Sequence, residues 1–233
     1  MEPYFKSLVP LLLILVAIEL ALPCLWSFAK RKRQVRLSSI SADSMLPFLE
    51  RATQEESKNG KGFESLAARA MERGLVRDSR AYAALAEGSK VHLCLLDRLV
   101  EIALGDENAF IVPMPSENDS SVDLFALIAQ SEFLVEDVYR LCLREARVLG
   151  RSDLGKTVKV LLRSEEDRLR LMKMMTSGDI GEECSESVFV CPGCGRAEIG
   201  VASAFCPVCN TPNFRLKKID FSEPEDTKAA SLA

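Results

Sequence analysis

The chain contains few histidine and aromatic residues, and its basic residues do not outnumber its acidic ones. It has one histidine among 233 residues, an aromatic fraction of 6%, and 30 Lys and Arg against 34 Asp and Glu, for a net charge of −4. Nucleic-acid binding requires a basic face, and no basic helix or platform of basic and aromatic residues is present, so nucleic acid is excluded as the main partner. Hydrophobic residues make up 48% of the chain, which excludes disorder and suffices for one substantial core plus a smaller module.

One long apolar stretch covers residues 8–28, and a basic cluster at residues 30–36 follows it. Its 21 residues, at about 1.5 Å per residue, would cross a hydrocarbon core of roughly 30 Å. Thirteen of them are Leu, Ile, Val or Phe, and their summed insertion free energy outweighs the cost of about 3 kcal/mol for the charge of Glu19. The stretch is longer than the apolar part of a signal peptide and no small-x-small cleavage site follows it, which favours an uncleaved anchor over a cleaved signal.

The basic cluster also predicts the orientation of this anchor. Because the cluster lies on the C-terminal side, the positive-inside rule places the N-terminus outside and the folded part in the cytoplasm. The sequence therefore predicts a single-pass protein of the cell (inner or plasma) membrane, with a basic and polar tether at residues 29–44. Glu19 is either a functional intramembrane group or a tolerated carboxyl, and both interpretations stay open.

The region from residue 45 to residue 178 contains two halves that match at an offset of 76 positions. A repeat this regular implies two stacked helical hairpins. Four apolar stripes at helical spacing support this interpretation, and three of them end at Gly74, Gly105 and Gly150, which are typical C-terminal stops. The matched pairs are Glu56 with Glu132, Phe63 with Tyr139, Gly74 with Gly150, Ser89 with Glu165, and His92 with Arg168.

The repeat brings polar residues onto the predicted core faces. In ferritin-like di-iron bundles, two helices each give one inward Glu and two each give a Glu-x-x-His pair. This chain fills four of those six positions, with Ser89 in one Glu position and Arg168 in one His position. A lone histidine on an apolar helix face is usually a satisfied core residue, and its place in the repeat makes it a candidate ligand. The predicted bundle ligands are Glu56, His92, Glu132 and Glu165.

The C-terminal module, residues 188–219, contains two Cys-x-x-Cys motifs separated by an 11-residue spacer. This spacing predicts one tetrahedral tetrathiolate site for zinc or iron. Two disulfides are the competing interpretation, and they suit a reducing cytoplasm poorly. A segment of this size needs a metal to stabilise it. The predicted ligands are Cys191, Cys194, Cys206 and Cys209, wrapped by Phe189, Val190, Phe205 and Phe214, with a disordered tail at residues 220–233.

The order of these parts resembles the rubrerythrin family, in which a ferritin-like bundle precedes a rubredoxin-like four-cysteine module. The resemblance covers about residues 46–219 and includes residues 86–92, Ala-Glu-Gly-Ser-Lys-Val-His, which look like a Glu-x-x-His segment with Ser89 in the Glu position. It implies a mainly α protein that reduces hydrogen peroxide at a di-iron centre, with electrons arriving through the one-iron cysteine site. It also implies a homodimer and a redox partner protein.

This sequence departs from the family at Ser89, at Arg168 and in its predicted anchor. Ser89 cannot bridge two irons, and the guanidinium of Arg168 cannot ligate because it stays protonated. Three functions therefore remain open. The bundle could hold one or two irons in a modified redox enzyme. It could be a metal-free scaffold, with Arg168 as a fixed cation and a structural zinc ribbon. Or the ribbon could carry redox iron and pass electrons to a separate partner.

Overall fold

The computed structural model describes residues 44–105, 111, 123–177 and 187–220. These residues form a mainly helical bundle followed by a small four-cysteine module, as the sequence predicts. The elements of the bundle are α1 (Leu46–Glu72), α2 (Val76–Leu104), α3 (Leu124–Phe133), a π-helical segment (Leu134–Tyr139), α4 (Arg140–Val148) and α5 (Ser152–Ser177). Because α3, the π segment and α4 run on without a break, together they make the third of four long helices.

Several predicted parts lie outside the described residues. These are the anchor at 8–28, nearly all of the tether at 29–44, most of the connection between α2 and α3, and the tail after residue 220. Among the helices that the structure does describe, none has the length and apolar character needed to cross a membrane.

The two hairpin turns show that the repeat is structural. Gly74 ends the first turn with φ +73° and Gly150 ends the second with φ +65°, a left-handed conformation that glycine adopts without steric cost. The backbone hydrogen bonds repeat at the same offset: Gly74 and Leu75 donate to Met71 and Ala70, and Gly150 and Arg151 donate to Arg147 and Ala146. The 76-residue match therefore marks two hairpins of the same construction.

The bundle interior consists of two apolar clusters with a polar layer between them. The larger cluster includes Leu49, Leu96, Leu99, Tyr139 and Leu161, and the smaller consists of Phe63, Leu85, Ala86, Leu127 and Met172. Each buried leucine side chain contributes about 1.5–3 kcal/mol. Between the clusters, all four long helices bury polar residues: Glu56 and Asn59, Ser89 and His92, Ser131, and Ser164, Glu165 and Arg168. The predicted bundle ligands lie in this layer, apart from Glu132.

The π segment explains the exception. The backbone N–H of Arg140 bonds to Val135 O, five residues back, so this turn contains one more residue than an α-helical turn. From Val135 onward the predicted apolar stripe is correct, with Val135, Tyr139, Cys142 and Ala146 buried. Before it, the inward positions fall one residue away from the predicted ones. Leu127 is buried in place of the predicted Ile128, and Phe125 is 70% exposed.

The C-terminal module packs on the side of the bundle. Strands β1 (Val188–Val190), β2 (Ala197–Ile199) and β3 (Lys217–Lys218) form an antiparallel sheet in the order β2-β1-β3. Val188 and Val190 pack against Ala84 of α2. Ion pairs add to this contact, since Arg196 Nε lies 2.8 Å from Asp167 and Lys217 Nζ lies 3.0 Å from Glu87. The module is thereby fixed against α2 and α5.

Candidate metal centre and buried charge cluster

The four cysteines come together in two matching knuckles. Gly195 N donates to Cys191 O in the first, and Asn210 N donates to Cys206 O in the second. Gly195 and Asn210 both have positive φ, 76° and 62°, which turns the chain back after each Cys-x-x-Cys. The four Sγ atoms, of Cys191, Cys194, Cys206 and Cys209, all lie within 4.8 Å of one another.

This arrangement suits a tetrathiolate metal. A Cβ added at Gly193 would lie 3.2 Å from Cys209 Sγ and 2.6 Å from Thr211 Oγ1, so the first knuckle has no room for a side chain there. Thr211 Oγ1 itself lies 3.0 Å from Cys209 Sγ. The crowding of the sulfurs lowers the pKa of Cys191, chiefly through hydrogen bonding with Cys194, and raises the pKa of Cys194 for the same reason. Four convergent thiol groups of this kind fit zinc or iron.

The centre has an inner side and an outer side. Cys194 is fully buried against the bundle, whereas Cys209 is partly exposed. Val160 of α5 packs against the sulfur cluster together with Val208 and Leu216. The predicted aromatic wrapping is wrong for two residues, since Phe205 and Phe214 are 55% and 80% exposed. The apolar cover comes instead from Val208 and Leu216 of the module and from Val160 of the bundle, and a prediction based on the module alone could not include Val160.

Arg168 lies at the centre of the buried charge cluster. Its Nη1 donates to Glu56 Oε2 at 2.9 Å and lies 3.0 Å from Glu165 Oε2, an ion pair without an aligned hydrogen bond. The guanidinium also lies over the ring of Phe63, 5.8 Å from its centroid. The Arg168 side chain is 2% exposed, and both carboxylates are fully buried. A single guanidinium therefore neutralises part of the charge of two acids on two helices.

Glu56 bridges Arg168 to two further groups through its other oxygen. Glu56 Oε1 accepts from the Tyr139 hydroxyl at 3.1 Å and lies 2.7 Å from His92 Nδ1. Burial alone would raise the pKa of Glu56, but the charges of Arg168 and His92 outweigh it and hold that pKa well below its ordinary value. Burial and the neighbouring Glu56 charge raise the pKa of Tyr139. Glu56 is thus an ionised carboxylate and Tyr139 a neutral donor.

His92 connects this cluster to the cysteine module. Its Nε2 lies 2.9 Å from the carbonyl oxygen of Cys194 and 3.0 Å from Ser164 Oγ. Because a carbonyl only accepts, Nε2 must carry a proton. Burial and the nearby Arg168 charge lower the pKa of His92, but the Glu56 charge and hydrogen bonding with Glu165 and Glu56 outweigh them, so the net shift of this pKa is upward. His92 Nδ1 lies 2.9 Å from Arg168 Nη2 as well as 2.7 Å from Glu56 Oε1, so the imidazole contacts both the guanidinium and the carboxylate.

Glu132 does not join the cluster, so its predicted inward position is wrong. Its side chain is 48% exposed and lies 2.7 Å from Lys173 Nζ on the surface. Ser131, one residue earlier, is the buried residue of this turn. The π segment rotates this part of the helix relative to the predicted register, which carries Glu132 out of the core. The structure brings together the other three predicted residues: Glu56, His92 and Glu165.

The bundle centre does not fit a pair of metal ions. One predicted carboxylate is outside the cluster, and a serine stands where another would be. Gly60 faces Ser89, and a Cβ added at Gly60 would lie 3.4 Å from Ser89 Cβ, so α1 and α2 approach closely here. The guanidinium of Arg168, which cannot ligate a metal, lies between the remaining acids. The bundle centre therefore offers too few ligands for a metal pair.

Comparisons with known proteins concern the fold. No model of a known protein family matches this sequence, and no curated protein matches it. Three solved structures of nigerythrin, a rubrerythrin-family protein, are similar to it. The fully reduced, all-ferrous state has a TM-score of 0.60 at 21% identity, and the mixed-valence and partially reduced states have 0.63 at 20% identity. Each alignment covers 75% of this chain and 86% of the nigerythrin chain.

The chain has the rubrerythrin architecture. A helical bundle with a four-cysteine module, arranged as in nigerythrin, is the architecture that the sequence motifs predict. Identity at this level establishes the fold, and the chemistry must come from the residues of this chain. Within the rubrerythrin architecture, three residues at the contact between bundle and module escaped prediction from sequence: Gly88, Ser164 and Gly195. Gly195 and Asn210 each follow a Cys-x-x-Cys motif and have positive φ, a conformation that glycine and asparagine adopt most readily, so Gly195 was the one residue of the three with a local sequence signal.

Proposed function

We propose that this protein is a rubrerythrin-like redox metalloprotein that transfers single electrons through one iron held by its four cysteines. The observation that carries this proposal is that one side of the cysteine centre is partly exposed and the other side is buried against the bundle. Cys209 is partly exposed, whereas Cys194 is buried and its carbonyl accepts from His92 in the bundle. Bound iron would supply a reversible ferric to ferrous couple. The exposed side suits exchange with a redox partner protein, and the buried side fixes the centre in place.

The bundle, in this proposal, supports the centre and does not reduce peroxide at a metal pair. Arg168 and the surface position of Glu132 leave too few ligands for two irons. Val160 and the ion pair between Arg196 and Asp167 hold the module against α5. The protein thus retains the rubrerythrin architecture, with electron transfer assigned to the cysteine site alone.

We further propose that residues 8–28 anchor the protein in the cell membrane, with the redox module on the cytoplasmic side. The apolar composition of this stretch and the basic cluster after it support the proposal. A homodimer is proposed from the resemblance to rubrerythrins. An anchored module would meet its redox partner at the membrane surface, which reduces the search for that partner to two dimensions.

A second candidate function is a metal-free scaffold with a structural zinc ribbon. The buried guanidinium favours it, because Arg168 neutralises part of the charge of both acids without any metal. Zinc would stabilise the module as well as iron but would carry no electrons. The two candidates share one architecture and differ in the metal at the cysteines.

Metal analysis with visible spectroscopy of the full-length protein in detergent separates these candidates. We expect one iron per chain, visible absorption of a ferric tetrathiolate, and bleaching of that absorption by a one-electron reductant. Replacement of all four knuckle cysteines by serine should remove the iron and the absorption together. Replacement of Cys94, an exposed free cysteine, is the control and should change neither. Stoichiometric zinc in protein produced with ample iron, without visible absorption, would contradict the electron-transfer proposal and support the scaffold.

A further inference from the structure

In the polar layer of the bundle, a cationic side chain of the protein lies where candidate metal ligands converge. The candidate ligand atoms of Glu56, His92 and Glu165 all lie within 4.8 Å of one another. Arg168 Nη1 lies 2.9 Å from one of these carboxylates and 3.0 Å from the other. We propose that Arg168 is a built-in replacement for the bundle metal, and that through Glu56 and His92 it positions the first cysteine knuckle.

The charge of the cluster explains why a cation is needed there. Glu56 and Glu165 are both fully buried, and two carboxylates at this distance repel each other in a medium of low dielectric constant. Unless one of them takes up a proton, a bound metal or a cationic side chain must balance them. The guanidinium provides that charge permanently, since it does not lose its proton. A metal ion would have to displace Arg168 from both acids before it could bind.

Glu56 transmits the position of Arg168 to His92. One of its oxygens accepts from Arg168 Nη1 and the other lies 2.7 Å from His92 Nδ1. Tyr139 donates to that second oxygen and limits its rotation. In this way a single carboxylate holds the arginine, the imidazole and the phenol in one hydrogen-bonded group.

His92 in turn fixes the knuckle that contains Cys194. Its Nε2 donates to the Cys194 carbonyl at 2.9 Å. The backbones of Gly88 and Gly195 are in close contact beside this bond. A Cβ added at Gly195 would lie only 2.6 Å from Gly88 O and 2.8 Å from His92 Cδ2, so no side chain fits there. The imidazole is therefore held between the charge cluster and the knuckle. The proposed role does not depend on whether the cysteines hold iron or zinc.

A single histidine makes this proposal directly measurable by NMR spectroscopy. In full-length protein in detergent, with the knuckle loaded with zinc and with ¹⁵N-labelled histidine, all imidazole signals come from His92. Mn²⁺ is the metal probe, because it prefers oxygen and nitrogen ligands, leaves zinc thiolates intact and broadens nearby signals. We expect excess Mn²⁺ to leave the His92 signals of the wild-type protein sharp. Strong broadening in the wild type would overturn the proposal.

Removal of the guanidinium should open the site. We expect Arg168→Gln to bind one equivalent of Mn²⁺ through Glu56, His92 and Glu165, with loss of the His92 signals by broadening and heat of binding in calorimetry. Before Mn²⁺ is added, both His92 nitrogen signals should already differ from the wild type, because Glu56 is no longer fixed. Arg168→Ala is the second variant, with the same expectation. A folded variant that gains no metal and leaves the His92 signals unmoved would contradict the proposal.

Arg151 offers a matched control. It is also a mostly buried arginine, it pairs with Asp153 at 2.9 Å and donates to Ile102 O, and it lies outside the polar layer. Arg151→Gln should lower stability yet gain no Mn²⁺ and leave the His92 signals in place. Equal changes of the His92 signals in this control and in Arg168→Gln would show a merely structural effect. If both Arg168 variants fail to fold, the wild-type titration still decides, since broadening of His92 there overturns the proposal.

Discussion

The four-cysteine module and the centre of the bundle both bring side chains from separate segments to one point, but they differ in the source of the positive charge. The module presents four convergent sulfurs, an arrangement that suits a tetrahedrally bound metal. The bundle presents two acids with Arg168 already between them. The difference teaches that side chains converging on one point can have their charge balanced either by a bound metal or by a cationic side chain of the protein itself. Substitutions in the two regions should therefore have opposite effects on metal content.

The largest effect should follow from breaking the module. Cys206→Ser removes one of four thiolates, so we expect loss of the metal and unfolding of residues 187–220, since a segment of this size has little core without it. Metal content and protease sensitivity after residue 187 measure this outcome. The bundle should keep its helical circular dichroism. A variant that retained a full equivalent of tightly bound metal would contradict the tetrathiolate assignment.

The next largest effect should follow from removing the bundle cation. Arg168→Ala leaves two buried carboxylates without their partner, which should lower the free energy of unfolding by about 3–5 kcal/mol. Chemical denaturation followed by helical circular dichroism measures it. Arg170→Ala is the control, because that side chain is 73% exposed and should cost less than about 1 kcal/mol. Equal stability of the two variants would remove the salt-bridge explanation.

A smaller effect should come from the contact between the two regions. Gly195→Ala places a Cβ 2.6 Å from Gly88 O and also strains a residue at φ +76°. Gly200→Ala has the strain alone, at φ +102°, with no atom within 4 Å of the added Cβ. We expect Gly200→Ala to cost about 1–2 kcal/mol and Gly195→Ala clearly more. Faster transfer of metal to a chelator only in Gly195→Ala would show that the contact with the bundle protects the knuckle.

The smallest effect should come from Glu132, which a ferritin-like register would place in the core. Its ion pair with Lys173 is on the surface, where such pairs contribute about 0–1 kcal/mol. Glu132→Gln should leave stability and metal content nearly unchanged. Glu165→Gln, the comparison variant, removes a buried partner of Arg168 and should cost several times more. A loss of bound metal in Glu132→Gln would instead indicate that Glu132 lies in the core, as the ferritin-like register predicts.

Sequence patterns predicted those features that depend on residues close together in the chain. The Cys-x-x-Cys motifs, the glycine stops and the repeated hairpins are of this kind. The position of Glu132 was predicted wrongly because the prediction continued an α-helical period through the π segment. Leu127, Ser131 and Leu134 form an equally regular stripe, and without coordinates nothing in the periodicity chooses between the two.

The link between His92 and the Cys194 carbonyl could not have been predicted. These residues are 102 positions apart, and the acceptor is a backbone atom that no motif identifies. It exists because Gly88 and Gly195 allow the module to approach α2 so closely. The exposure of Phe205 and Phe214 was likewise missed, since Val160 of the bundle covers part of the sulfur cluster.

The metal count of the full-length wild-type protein is the most direct test of a one-metal protein with an arginine-centred bundle. Protein produced with ample iron and manganese should contain one metal ion per chain, and the variant with all four knuckle cysteines replaced by serine should contain none. Two or three metal ions per chain, with some retained in that variant, would show that the bundle binds metal despite Arg168 and would contradict this interpretation.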